Sequence, residues 1–135
     1  MKSKLRSGKH CVFSLQAHLV FTTKYRKSVF TNWTLSFLQK YLEKVCKDFD
    51  ADLLEFNGEK NHVHLLISYS PKISLSRLIN SLKGTSSRLL RSNFPTLKKY
   101  LYKGHLWSPS YYASSCGGVT LDILKEYIDN QSRPV

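Results

Sequence analysis

Acidic residues are scarce in this chain: nine Asp plus Glu stand against 21 Lys plus Arg, leaving a net charge of +12 over 135 residues. That imbalance disfavours a polycationic partner and favours a polyanion, whose condensed counterions are released on contact. Cysteine is also rare. Cys11, Cys46 and Cys116 are odd in number and form no Cys-x-x-Cys pair, so neither a disulfide framework nor a zinc ribbon is indicated. Reduced, buried thiols are the expectation. No apolar run is long enough to span a bilayer and none resembles a secretory core, which predicts a cytoplasmic protein with no membrane partner. Internal repeats are absent, and low complexity is confined to the start.

The chain contains 41% hydrophobic and 13% aromatic residues, enough for one folded domain with a real core. Its most informative stretch is Asn61-His62-Val63-His64-Leu65-Leu66-Ile67. Val63, Leu65, Ile67 and Tyr69 alternate with the remaining positions, which predicts a strand. The strand period of two then places His62 and His64 together on the face opposite Val63 and Leu65. Two imidazoles on one face can share a metal, although the same spacing also suits two unrelated polar positions on a solvated sheet.

Met1 to Lys9 carries four basic residues and no acidic one, which predicts a flexible basic N-terminus over 1–9. From Cys11 to Thr22 apolar and polar residues alternate, predicting one long half-buried strand with His18 on the polar side. Thr22-Thr23-Lys24-Tyr25-Arg26-Lys27 follows, three cations around one ring, suited to a phosphate backbone and a stacked base or to an ordinary solvated loop. Thr31 caps a predicted helix running to about Asp48, with Trp33, Phe37, Leu38, Tyr41, Leu42, Val45 and Phe49 at core spacing. A short strand over 52–56 and Asn57-Gly58, a hairpin signal, lead to the histidine strand. A second helix runs from a Ser74 cap to about Arg91. Its outer side carries Arg77, Lys83, Arg88 and Arg91 with several serines, and Gly84 sits in mid-helix, where a close backbone approach would explain it. Leu106 to Tyr112 reads as an irregular strand that Pro109 confines to an edge or a bulge. Gly117-Gly118 then separates the core, 10–116, from a last helix over 119–132.

Strand, helix, strand, strand, helix, strand is the order of the ferredoxin-like split βαβ fold, an α+β sandwich related to RRM modules, with a helix added at the end. Both core helices would cover one sheet face, leaving the open face to His62, His64 and His18. On the last helix, Tyr127 and Gln131 are four residues apart and so share a side. They also adjoin the apolar stripe of Leu121, Leu124 and Ile128, which suits plain packing.

His62-Val63-His64, Leu106-Trp107-Ser108-Pro109-Ser110-Tyr111, Gly117-Gly118-Val119, Tyr127-Ile128-Asp129-Asn130-Gln131 and Phe21-Thr22-Thr23-Lys24-Tyr25-Arg26 together resemble the small single-tyrosine transposases of the simplest insertion sequences, members of the His-hydrophobic-His superfamily. The likeness covers nearly the whole chain. It implies a transposase that binds hairpin-bearing single-stranded DNA at element ends and cleaves and rejoins it through a 5′-phosphotyrosine. It further implies Tyr127 as nucleophile, His62, His64 and Gln131 as metal ligands, and a homodimer in which Gly117-Gly118 is a hinge that lets the last helix serve either active site. Asn61 departs from the acidic residue many relatives carry there, which bears on the metal's surroundings; Asn61 and His18 are candidate orienting groups. Mixed nitrogen and oxygen ligation suits magnesium or manganese. For DNA contacts the candidates are Lys24, Arg26, Lys83 and Arg88, with Tyr25 as a stacking platform.

Two other readings fit parts of the sequence. A non-enzymatic single-strand binder of RRM-like fold explains charge and aromatics but not the histidine pair with Tyr127 and Gln131, and the histidine strand lacks the expected aromatic signature. A metal-dependent nuclease using water would cleave without a covalent adduct.

Overall fold

The computed structural model describes residues 5–8, 10–101, 103–115 and 127–130. Its strands are β1 (Arg6–Gly8), β2 (Cys11–Phe13), β3 (Gln16–Thr22), β4 (Asp52–Gly58), β5 (His62–Ser68) and β6 (Tyr112–Ser115), and its helices are α1 (Asn32–Asp48) and α2 (Leu75–Asn93). The main sheet has the order β4-β5-β3-β6, antiparallel throughout, so the first and third strands of the split βαβ pattern are the central pair. This is the α+β ferredoxin-like sandwich.

Alternation decides which side is core. Ala17, Leu19 and Phe21 of β3 and Val63, Leu65 and Ile67 of β5 point to one face and meet Leu38, Leu42 and Val45 of α1 and Leu78, Ile79 and Leu82 of α2, all buried. Each of these side chains larger than alanine contributes about 2 kcal/mol when removed from water. The Thr31 hydroxyl accepts from the Thr34 amide while the Thr34 hydroxyl accepts from the Thr31 amide, a reciprocal cap that fixes where α1 begins. Ser74 caps α2 by accepting from the Arg77 amide. Trp33, expected among core positions, is 66% exposed and packs edge-to-face on Phe37.

The structure revises three local expectations. Arg6–Gly8, part of the basic lead-in, pairs with Cys11–Phe13, and the Arg6 guanidinium donates to the Asp50 carbonyl at 3.0 Å. The long strand from Cys11 to Thr22 is broken at Ser14-Leu15, because β2 pairs with β1 whereas β3 pairs with β5 and β6. Asn57-Gly58 is not the turn: Gly58 pairs with Val63, and the chain reverses over 59–61. A Cβ on Gly58 would stand 2.5 Å from a Leu35 methyl, so close packing of α1 accounts for that glycine.

Past Gly104 the chain returns along the free edge of β3. Ser108 donates to the Thr22 carbonyl at 2.8 Å, and β6 then pairs with residues 17–20, so the chain leaves the ladder over 109–111 where Pro109 cannot donate. The Trp107 ring packs on Phe21 and Phe30, and its indole N–H donates to the buried Ser86 hydroxyl at 3.1 Å. The proposed hinge Gly117-Gly118, Cys116, Gln131 and most of the last helix lie outside the described residues.

Candidate active site

The sheet face turned away from the helices holds the histidines. β3 and β5 pair Val20 with His64 and Thr22 with His62, so these four side chains share that face with His18. The His62 and His64 rings are 5.1 Å apart between centroids, and His18 is 5.6 Å from His64. This face is not bare, since Val20 and Thr22 on it are fully buried.

Burial lowers the pKa of all three imidazoles, and for His64 the neighbouring His62 and His18 add to the effect, taking it to about 4. Neutral rings keep a lone pair for a ligand at physiological pH. Asn61 orients one of them: its side-chain oxygen lies 2.8 Å from His62 Nδ1, so an N–H there leaves Nε2 as the free acceptor. Among the described residues no group of three His, Cys, Asp or Glu could hold a metal, which leaves His18 beside the pair and not a third ligand. Two neutral imidazoles fit a divalent cation, and so does the Thr22 hydroxyl, which belongs to the residue paired with His62 and is buried with no hydrogen-bond partner among the described residues.

Tyr127 lies over the same face. Its ring packs against Tyr112 with centroids 5.6 Å apart, and its hydroxyl is 3.1 Å from the Ser110 hydroxyl. Tyr112 pairs with Val20, which in turn pairs with His64, so the platform under Tyr127 is two strand positions from that histidine, about 10 Å across the sheet. Burial raises the pKa of the phenol and the Ser110 hydrogen bond acts the other way.

The loop after β3 joins the two halves of the site. Tyr25 and Arg26 adopt left-handed φ values of 56° and 53°, a turn that non-glycine residues resist by roughly 1–2 kcal/mol each. It is held by Thr23, whose amide donates to the Asn61 carbonyl at 2.9 Å and whose hydroxyl donates to the Lys27 carbonyl at 2.7 Å, and by Val29 and Phe30, whose amides donate to the Lys60 carbonyl. The Asn61 amide donates to the Arg26 carbonyl at 3.4 Å, while the Arg26 guanidinium pairs with Asp129 at 3.0 Å. A continuous set of polar contacts therefore runs from His62 through Asn61 and Arg26 to the segment bearing Tyr127.

The expected DNA contacts separate. Arg88 is exposed on α2, and Lys24 lies over the Tyr25 ring at 5.4 Å. Arg26 makes the ion pair just described. Lys83 is turned inward: its ammonium donates to the carbonyls of Ser108, Pro109 and Ser110 at 2.7, 3.2 and 3.1 Å, so its donors go to the protein and not to a phosphate. Reading α2 as a plain amphipathic helix missed this, because the acceptors are backbone atoms 25 and more residues away. Lys83 and the Ser108-Pro109 segment form one wall of a groove of about 370 Å³, which Gly84, Ser87, Arg91 and Lys103 also line. No helix among the described residues is long and apolar enough to cross a membrane.

A split βαβ sandwich with a histidine pair on its third strand and a tyrosine over the same face is the arrangement that the resemblance to single-tyrosine transposases implies. Comparison with known proteins agrees: the model of IS200-like transposases matches residues 11–131, and the chain belongs to that family, the small single-tyrosine transposases of insertion sequences. It is 29% identical over 128 residues to the ISDra2 transposase TnpA of Deinococcus radiodurans, covering 95% of this chain and 91% of that one. It is 31% identical over 126 residues to the transposase for insertion sequence element IS200 of Salmonella typhimurium, covering 93% and 82%. A crystal structure of a Deinococcus radiodurans protein assigned as a transposase superposes with a TM-score of 0.88 at 30% identity, over 96% of this chain and 99% of that one. A tyrosine transposase bound to a REP hairpin shares the fold, with a TM-score of 0.57 at 13% identity, over 85% of this chain and 62% of that one.

Proposed function

We propose that this transposase cuts and rejoins hairpin-bearing single-stranded DNA at element ends, with Tyr127 as nucleophile. The observation that carries the reading is the Tyr127 hydroxyl, held by Ser110 on the sheet face that also bears His62 and His64. The phenol oxygen attacks the scissile phosphorus, the bond to the 3′ oxygen breaks, and the 5′ phosphate is left on Tyr127. The phenol proton passes to solvent and the departing 3′ oxygen takes one up, giving a free 3′ hydroxyl. Attack by that hydroxyl, or by another strand's, reverses the step without ATP because the ester conserves the phosphodiester bond energy.

His62 and His64, with Gln131 as the third ligand, would hold a divalent cation, magnesium or manganese. When bound, that cation withdraws charge from the non-bridging phosphate oxygens. Asn61 keeps the His62 ring oriented, His18 packs beside His64, and Ser110 positions the phenol. Arg88, Arg91 and Lys103 on and around the α2 groove, and Lys24 beside Tyr25, suit the DNA backbone and a stacked base. A second copy of the chain is the expected partner, with the last helix serving either site. The REP-hairpin complex of the fold relative supports a hairpin as the DNA form.

Covalent trapping tests the reading. End-labelled single strands from the DNA flanking the gene are incubated with protein and manganese or EDTA, then run on a denaturing gel beside Tyr127→Phe and His64→Ala. Label should migrate with the wild-type protein only when metal is present, and both variants should lose it while still binding DNA. Metal-dependent cleavage with no protein-linked label would instead indicate a nuclease that uses water.

A further inference from the structure

Lysine on a helix normally sends its ammonium to water, but Lys83 folds inward and is half-buried. It lies 5.9 Å from the Phe21 ring centroid and 5.6 Å from that of Tyr111. Its three donors meet three consecutive carbonyls, those of Ser108, Pro109 and Ser110. Three carbonyl dipoles aimed at one point repel one another unless a cation sits between them, so this loop shape depends on the ammonium. The loop lies where the chain leaves the ladder, between the Ser108 amide bonded to Thr22 and the pairing of Tyr112 with Val20. At its end the Ser110 hydroxyl faces the Tyr127 hydroxyl at 3.1 Å.

We propose that Lys83 is a positioning residue for the nucleophile: by gathering the carbonyls of 108–110 it fixes the Ser110 hydroxyl against the Tyr127 phenol, and it does not contact DNA. The proposal rests on Tyr127 being the nucleophile. Burial takes the Lys83 pKa down to about 8, so the ammonium persists at neutral pH with backbone carbonyls in place of water. The Ser110 contact opposes the burial that raises the phenol's pKa, as a hydroxyl donating to a forming phenolate must. The variant that removes the ammonium and its three donors while keeping an unbranched apolar side chain of similar length is Lys83→Met.

The test compares wild type, Lys83→Met, Ser110→Ala and the double variant, all as full-length chains. Single-turnover adduct formation at saturating DNA should fall roughly tenfold in either single variant, and hardly further in the double, because both act through one hydroxyl. Affinity for the same strand should stay within about twofold. A parallel loss of affinity in Lys83→Met, a full rate in Ser110→Ala, or losses that multiply in the double variant would overturn the proposal. A readout independent of turnover uses tyrosine labelled with ¹³C at Cζ, with the Tyr127 resonance assigned from Tyr127→Phe. Lys83→Met should move that resonance in the same direction as Ser110→Ala, and an unmoved resonance overturns the coupling. If wild type forms no adduct, the nucleophile assignment falls, and the resonance still reports whether Lys83 sets the environment of the phenol. Should Lys83→Met fail to fold, Ser110→Ala and Lys83→Arg carry the test. The planar guanidinium cannot converge its donors on one point, so Lys83→Arg should slow adduct formation and move the same resonance, and wild-type behaviour would count against the role.

Discussion

His64 stands between two other imidazoles, and its protonation is opposed by burial first and by His62 and His18 next. Its folded pKa, about 4, is below the 6.5 of an unfolded chain. At pH above 6.5 both states are neutral and nothing is lost. As pH falls from 6.5 toward 4 the unfolded state takes up the proton first, so stability declines through that window. His18 and His62 shift in the same direction and steepen the decline. Urea unfolding of the metal-free protein between pH 7.5 and 5 should show this slope, and His64→Gln should flatten it; equal slopes would show that His64 does not titrate abnormally. These histidines were legible in the sequence because a period of two is enough to place them on one face. The role of Asn61 was legible only as a departure from a pattern, since its contact with His62 Nδ1 depends on a side-chain rotamer. Lys83 and Ser110 were not legible as partners of the site: three carbonyls converging on an ammonium leave no spacing signal.

Two glycines carry opposite lessons for the elements that hold them. Gly84 lies inside α2 with nothing among the described residues within 4 Å of the position a Cβ would take, so no described neighbour requires it. Gly84→Ala should raise stability by about 0.5–1 kcal/mol, the usual gain of alanine in a helix interior, read as a higher unfolding midpoint. If DNA backbone runs through the groove that Gly84 lines, the same variant should bind single strands more weakly, separating a functional glycine from a tolerated one. Gly58 is the reverse case, because its Cβ would meet the Leu35 side chain at 2.5 Å, and Gly58→Ala should cost about 1–3 kcal/mol as Leu35 and α1 give way. An unchanged midpoint would mean that Leu35 simply rotates aside. Sequence pattern located both core helices and their Thr31 and Ser74 caps because each depends on local chemistry. It misplaced the β4-β5 turn because Asn-Gly is ambiguous between a reversal and a tight packing contact, and only the position of α1 settles which. The break at Ser14-Leu15 was hidden for a similar reason: alternation continues across it, and only the change of pairing partner reveals it.

A net charge of +12 makes the whole molecule an electrostatic trap for a polyanion, but charge that merely attracts can be told from charge that seats phosphates. Each phosphate neutralised on a single strand adds about 0.7 to the log–log dependence of affinity on salt. Arg88 and Arg91 lie three residues apart on α2, and Arg91 is steadied by its Nε donating to the Ser87 carbonyl at 3.1 Å beside the groove. If both seat phosphates, Arg88→Ala combined with Arg91→Ala should lower that slope by about 1.4, two contacts at about 0.7 each, besides weakening affinity. Lys83→Met removes a positive charge from the same helix and should leave the slope nearly unchanged, because its ammonium is committed to Ser108, Pro109 and Ser110. Fluorescence anisotropy with a labelled single strand across 50–300 mM salt, roughly the range where the counterion effect is large, measures all three. Equal slopes in wild type and the double-arginine variant would move the DNA path off α2 and toward the Lys24-Tyr25 corner. A reduced slope in Lys83→Met would mean that the lysine leaves its carbonyls for the DNA, and the loop holding Ser110 would then be set by the substrate instead of being built in advance.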